Sequence, residues 1–298
     1  MKKYLYILFV LTIIAPTLRA QQMSFYSQYM HNRYALNPAV AGSTDGMTIG
    51  ISYRQMWTGL QDAPSMSTLY GHTQLNGNIG IGGRVFKTNT GPQSKAGVEG
   101  TYAYHFNISK DIKLSLGLSA ILTQSTIDRA KLDMKDENDK TLNTGSENLI
   151  VPDATFGAYM YSKKFYFGLV AAQLMPMKVD FKGANLENKQ ERHYFAHAGY
   201  NFEINNSFSI EPSAMCRYIE AGAFQLDANL KFVIKQMFWF GGSYRLNDAA
   251  VAMIGVQTGN FMFGYSYDYV LSDINNFSNG SHELVLMLKI GGKDKSLF

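Results

Sequence analysis

The chain has one cysteine and, outside its first twenty residues, no long apolar run. Cys216 stands alone among 298 residues, so it can form no intramolecular disulfide, and a cysteine-based zinc site is excluded. Each later apolar run is broken within a few residues by Gly, Asn, Gln or a charge, which excludes a membrane-spanning helix there. Helical periodicity is also lacking. The net charge of +4 is spread along the chain, so no nucleic acid partner is indicated.

The first twenty residues have the pattern of a cleaved signal peptide. Lys2 and Lys3 precede an apolar run from Tyr4 to about Ala15, and a short tail ends at Ala20. This run is shorter than the ~20 residues that a spanning helix needs, so a retained membrane anchor is the less favoured alternative. We therefore predict that residues 1–20 direct export and are removed.

The rest of the chain alternates with a period of two residues. In FQLDANLKFVI, from Phe224 to Ile234, every second residue is apolar and those between, as far as Lys231, are polar or charged. This pattern predicts a β-strand with one face in an apolar medium and the other in a polar one. Aromatic residues and 27 glycines with only 7 prolines also suit long strands.

We count about fourteen such segments of about ten residues each, the length that a tilted strand needs to cross a bilayer. They lie near residues 47–56, 65–75, 78–87, 95–106, 112–123, 153–162, 165–174, 192–202, 208–218, 224–234, 237–246, 249–258, 260–270 and 282–291.

The connections between these segments alternate in length. Every second connection is short, such as Asn76 to Asn78 and the pair Lys163-Lys164. The pair Asn247-Asp248 is the one exception, because it is short at a place where the alternation predicts a longer connection. The longer connections are predicted at residues 57–64, 88–94, 124–152, 175–191, 219–223 and 271–281. Bacterial outer-membrane barrels have this alternation of short periplasmic turns and longer outer loops.

The two faces of the predicted strands differ in charge. One face is apolar, as in Leu114, Leu116 and Leu118. The other face collects Arg54, Arg84, Glu99, His105, Lys113, Glu211, Arg217, Asp227, Lys231, Arg245, Asp268, Glu283 and Lys289. So many charges are costly in a dry core, whereas a lumen can accommodate them. The apolar medium is therefore outer-membrane lipid, and residues 46–298 are predicted to form an all-β, antiparallel transmembrane β-barrel of about 14 strands.

Residues 21–45, between the signal peptide and the first strand, are too apolar for a free periplasmic tail. The residues concerned are Phe25, Tyr26, Tyr29, Met30, Tyr34 and Leu36, followed by Asn37 and Pro38. Three alternatives remain open: a plug inside the barrel, a surface docked on a periplasmic partner, or a simple lead into the first strand. A fourteen-strand barrel encloses a lumen wide enough to need filling or to conduct.

Three motifs resemble chemical sites, but each has a simpler explanation. His193 and His197 lie about 13 Å apart on a strand, too far to share a metal, so His197 is predicted to be a lumen residue. The glycines of Gly77 to Arg84 lead into a strand rather than a helix, and we expect them to leave room for something in the lumen. The acidic stretch Asp133 to Lys140 lacks the spacing of a calcium loop. No catalytic residue, cofactor or metal site is predicted.

Two of the longer connections have a composition that suits partner binding. The residues we select are Met175, Met177, Lys178, Val179, Phe181, Asp133, Asp136 and Glu137. Apolar and basic residues together in an outer loop suit contact with a protein. The alternative is that these loops only cover the mouth of the barrel.

Three stretches of the chain share a pattern with a known family. They are QYMHNRYALNPAVAG (28–42), YRQMWTGLQDAP (53–64) and GSHELVLMLKI (280–290), and they resemble the PorP/SprF family of type IX secretion membrane proteins. The chain departs from the family pattern at one point: it reads Arg54-Gln55-Met56-Trp57, with Met56 inserted before the tryptophan. The resemblance implies an outer-membrane barrel that binds a secreted adhesin through its C-terminal secretion domain, or other type IX secretion components such as the periplasmic motor. A free-standing porin or small-solute channel is the alternative function.

Overall fold

The computed structural model describes residues 26–131, 145–175, 177, 190–220, 222 and 224–292. Within these ranges the chain forms one antiparallel sheet of fifteen strand segments. They are β1 (Met47–Gln55), β2 (Ser65–Gln74), β3 (Ile79–Thr90), β4 (Gln93–Asn107), β5 (Lys113–Asp128), β6 (Ser146–Tyr161), β7 (Phe165–Ala172), β8 (His193–Tyr200), β9 (Phe202–Asn205), β10 (Phe208–Ile219), β11 (Phe224–Ile234), β12 (Phe238–Arg245), β13 (Ala249–Thr258), β14 (Phe261–Val270) and β15 (Ser281–Ile290). The predicted signal peptide lies outside the described residues.

The sheet closes into a barrel of fourteen strands. Segments β8 and β9 are separated only by Asn201 and both pair with β10, so they are two halves of one strand. The ring closes where β1 pairs with β15, with Met47 opposite Ile290. A closed barrel satisfies its backbone hydrogen bonds from strand to strand, as a lipid environment requires. The predicted fold class is confirmed.

Two ends of the barrel can be distinguished by their connections. At the short-turn end, where β1 begins and β15 ends, the strands are joined by residues 75–78, 108–112, 162–164, 206–207, 235–237 and 259–260. The opposite end, the long-loop end, carries the connection that includes the 3-10 helix Asp273–Asn276 and the other longer connections. In outer-membrane barrels the short turns face the periplasm.

The strands β3 to β6 extend further at the long-loop end than predicted. Residues 88–94 are not an outer loop, because β3 and β4 are joined by only Gly91 and Pro92. The two ends of the predicted loop 124–152 are also strand, since β5 continues to Asp128, which pairs with Ser146 at the start of β6. The sequence pattern stopped too early because the outward residues here become polar: Lys87, Asn89, Gln124, Thr126 and Asn148.

Side-chain burial matches the predicted faces. On β11, Leu230 is 42% exposed toward the lipid side whereas Asn229 is 5% exposed toward the lumen. All the ionisable residues predicted for the inner face are buried or half-buried. Of the described residues, none belongs to a helix long and apolar enough to cross a membrane.

Candidate functional site in the barrel lumen

The stretch Tyr26–Gly42, which we call the inner segment, lies inside the barrel. The Tyr26 hydroxyl is hydrogen-bonded to Thr68 on β2, and Arg33 donates to the Tyr159 hydroxyl on β6 at 3.0 Å. Strands β2 and β6 lie on different sides of the ring. The segment contains a short helix α1 (Arg33–Leu36) and a 3-10 turn at Pro38–Val40. Most of its side chains are buried against the inner wall.

The inner segment runs along the lumen from one end of the barrel to the other. Ser27 contacts Asp268, near the last residues of β14 at the long-loop end. The Ala41 carbonyl accepts from His105, near the last residues of β4 at the short-turn end, at 2.8 Å. The chain then enters β1 at Met47. The segment therefore spans the lumen before the first strand begins.

At the long-loop end, a buried carboxylate holds the backbone of the inner segment. Glu283 accepts hydrogen bonds from two successive backbone N–H groups, those of Ser27 at 2.6 Å and Gln28 at 3.1 Å. Arg54 forms ion pairs with Glu283 at 3.1 Å and with Asp268 at 2.7 Å. Removing one partner from such a buried set leaves a charge unpaired, which typically costs about 3–5 kcal/mol.

The Ser27 side chain joins this group to a second arginine. Its hydroxyl donates to Asp268 at 2.6 Å and accepts from Arg245 at 3.0 Å. Arg245 is also paired with Asp227 at 3.1 Å. We call Arg54, Asp227, Arg245, Asp268 and Glu283 the charge cluster. It links β1, β11, β12, β14 and β15 to the start of the inner segment.

Near the short-turn end, Asn37 fixes the turn that follows α1. Its side-chain oxygen accepts from the backbone N–H of Ala39 at 3.0 Å, which caps the 3-10 turn. Its side-chain amide donates to the carbonyl oxygen of Ala158 at 3.1 Å and lies 3.1 Å from Nε2 of His197. His197 is therefore a lumen residue, as predicted, and it contacts the inner segment.

Glycines on the inner face of the wall make room for this turn. Cβ atoms added at Gly80, Gly117 and Gly157 would overlap with Ala41, Ala39 and Asn37 respectively. For Gly80 and Gly117 the overlapping atoms belong to the backbone, which cannot rotate away. The expectation that the glycines of Gly77 to Arg84 leave room in the lumen is met at Gly80, and also at Gly82, which faces the Tyr34 ring.

Histidines of the wall contribute hydrogen bonds rather than a metal site. Nε2 of His105 donates to the Ala41 carbonyl, and its Nδ1 accepts from the Tyr161 hydroxyl at 2.9 Å. His72 accepts from the backbone N–H of Gly42 at 3.3 Å. Among the residues that the structure describes, no group of three or more His, Cys, Asp or Glu side chains is placed to hold a metal ion.

The residues selected before the first strand come together in the lumen. Tyr26, Tyr29, Tyr34, Asn37 and Pro38 are all buried there. Phe25 lies outside the described residues.

The residues selected in the outer connections are mostly not described. Met175 and Met177 are 47% and 41% exposed after the end of β7, and Met175 donates its backbone N–H to Asp153 at 3.2 Å. The others, Lys178, Val179, Phe181, Asp133, Asp136 and Glu137, lie outside the described residues, as does the rest of the acidic stretch Asp133 to Lys140. Their role in partner binding stays a prediction.

Sequence reasoning missed Ser27 and Gln28, which contact the charge cluster. A serine and a glutamine between aromatic residues give no signal of their own. The signal lay in the strands: Arg54, Asp268 and Glu283 occupy inner positions at the same end of β1, β14 and β15. Three charges at one level of adjacent strands indicate that something polar meets them there.

A closed antiparallel barrel with an apolar outer face and a charged inner face defines an outer-membrane β-barrel protein. The fold is similar to those of the Ralstonia pickettii toluene transporter TbuX (8% identity, 86% of this chain and 92% of that chain covered, TM-score 0.52) and of the CymD monoaromatic hydrocarbon channel (11%, 91% and 93%, TM-score 0.51). At such identities the similarity shows the fold alone.

A family model described as type IX secretion system membrane protein PorP/SprF matches residues 18–288, and the chain belongs to this family. Its location is the outer membrane. A search among curated proteins gave no match.

Proposed function

We propose that the protein is a non-enzymatic component of type IX secretion that holds a protein partner at the outer membrane, with the inner segment closing the lumen. The partner is a secreted adhesin with a C-terminal secretion domain, or another secretion component such as the periplasmic motor. The observation that carries this proposal is the inner segment, which is bonded to the wall at both ends of the lumen.

The contacts of the inner segment favour an anchor over a channel. A porin or small-solute channel needs a continuous wet path through the barrel. Here Ser27 and Gln28 are held by buried charges, and Asn37 is seated between glycines of the wall. Opening the lumen would leave those charges without their backbone donors, and that loss is costly in a desolvated site.

The same contacts support a role without catalysis. Glu283 and Asp268 each accept a hydrogen bond from Ser27 and form an ion pair with Arg54. Buried acids at an active site would be expected to face a space that a substrate can enter. These acids instead bind the inner segment itself, Glu283 through backbone N–H groups and Asp268 through the Ser27 hydroxyl.

Conductance in planar bilayers tests the proposal. We expect the purified protein to show no stable open channels. We expect a variant lacking residues 26–42 to conduct if it still forms a barrel, which is checked by a difference in electrophoretic migration between unheated and boiled samples. Stable open channels from the unaltered protein, with the same conductance in the variant, would mean that the barrel is a free-standing channel.

A further inference from the structure

A small cavity opens at the short-turn end between the inner segment and the wall formed by β7 to β11. Its volume is about 40 Å3, which is room for two or three water-sized groups. The lining includes Arg33 from the inner segment, the turn Ser162–Lys164, Tyr166, and Glu211 with Lys231 from the wall. Because the short turns lie at the periplasmic end, the cavity is accessible from the periplasm.

The residues that line this cavity include more basic than acidic side chains. It holds four basic side chains, those of Arg33, Lys163, Lys164 and Lys231, against the single carboxylate of Glu211. Lys231 and Glu211 form an ion pair at 2.6 Å. The other three positive charges leave an excess that favours an anion in the cavity.

Arg33 has donors left for such an anion. Its guanidinium donates one hydrogen bond to the Tyr159 hydroxyl at 3.0 Å and lies over the ring of Tyr166, 4.6 Å from the ring centroid. In the described part of the chain, no carboxylate forms an ion pair with it. A guanidinium has five N–H donors in a planar fork, and one bond to a hydroxyl leaves the fork available.

We propose that this cavity binds a carboxylate group that a protein partner presents from the periplasmic side. A carboxylate places two oxygens in one plane and so matches the guanidinium fork, and it fits the small volume. A lipid headgroup is disfavoured as the ligand. The inner segment forms part of the lining, so the cavity lies on the lumen side of the wall, whereas the acyl chains of a lipid would lie on the outer side. The inference deepens the proposed function, because it gives the chemical group by which a partner is recognised.

Binding of a defined peptide to the purified barrel in detergent tests this site. The probe is an acetylated, amidated Gly/Ser hexapeptide with two glutamates and an uncharged dye; the reference peptide carries glutamines instead. We expect the barrel to bind the glutamate peptide at least about tenfold more tightly, a preference of the size that one charge-assisted bidentate contact supports. Arg33→Gln should remove the preference, provided that the variant remains heat-modifiable.

Two further variants give the experiment its controls. Replacing both Lys163 and Lys164 with Gln changes only exposed turn residues, so folding should be retained. The preference for the glutamate peptide should fall by less than in Arg33→Gln, and this loss should become smaller in high salt. Arg192→Gln removes an arginine at the long-loop end, 39% exposed and 3.7 Å from Glu220, and should leave the preference unchanged.

Equal binding of the two peptides, or a preference that survives in Arg33→Gln, would overturn the inference. Saturable binding of inorganic phosphate without any binding of the glutamate peptide would also overturn it, since the cavity would then select another anion. These outcomes are distinct from failure of the proposed function. Stable open channels from the unaltered barrel, with the same conductance after deletion of residues 26–42, contradict the anchor role whether or not the peptide binds.

Discussion

Replacing Glu283 with Gln should loosen the inner segment without changing the shape of the lumen. In the native protein one carboxylate oxygen accepts from the Ser27 N–H and from Arg54, and the other accepts from the Gln28 N–H. A glutamine amide can place its oxygen toward only one of these positions. Its NH2 group would then face the N–H of Gln28, a donor against a donor.

The size of the effect follows from these contacts. One hydrogen bond to a charged group is lost, which costs about 1.5–3 kcal/mol. Arg54 loses one of its two carboxylate partners but keeps Asp268 at 2.7 Å, so its charge stays paired. From these two losses together, we expect the inner segment to be held less tightly by about 3–4 kcal/mol. This value is near the lower end of the cost of breaking a buried ion pair.

Trp239 provides the assay, because its ring packs against that of His31 in the inner segment with 4.5 Å between centroids. The chain has 2 tryptophans, so Trp57→Phe leaves Trp239 as the single reporter. In that background, Glu283→Gln should shift the urea dependence of Trp239 emission to lower concentration while the barrel remains heat-modifiable. Glu203→Gln removes the same charge from an exposed position and should change nothing. An unshifted transition in Glu283→Gln would refute the reasoning.

Two more expectations concern the wall and the outer connections. Gly117→Ala should destabilise the seated segment by about 1–3 kcal/mol through overpacking, whereas Gly100→Ala, which meets nothing within 4 Å, should be neutral in the same Trp239 assay; equal effects would contradict the close packing of the turn. Deleting residues 132–144, or replacing Met175 and Met177 with Ser, should leave a heat-modifiable barrel but lose the secreted partner from the cell surface, as measured by surface labelling. Normal retention of that partner in both variants would mean that the secreted partner does not dock on these outer connections.

Strand positions could be predicted well because they depend on a local pattern. On β11 the alternation from Phe224 to Ile234 gives both the bounds and the facing of each residue, since lipid on one side and polar surroundings on the other act on successive side chains. The pattern failed where that contrast ends. Beyond Val85 on β3 and Leu122 on β5 the outward residues become polar, and strands that continue above the lipid no longer alternate.

The candidate site could be predicted only in part. Aromatic residues such as Tyr29 and Tyr34 identified a segment that has to be buried, but they are equally compatible with a lumen, a partner surface and a lead into the first strand. Their hydrogen-bond partners, Ser213 and Thr101, lie far along the chain. No local pattern encodes such pairings, because they depend on which strands the closed ring brings to face each other.

The sequence by itself determined the number of strands, which face of each strand meets lipid, and the family to which the chain belongs. Only the tertiary structure decided that the inner segment lies inside the lumen and which strands supply its polar contacts. The physical reason is distance along the chain: Glu283 and Ser27 are 256 residues apart, and they meet because β15 closes the ring against β1. Strand facing follows from neighbouring residues and their solvent, whereas the filling of a lumen follows from the closure of the whole barrel.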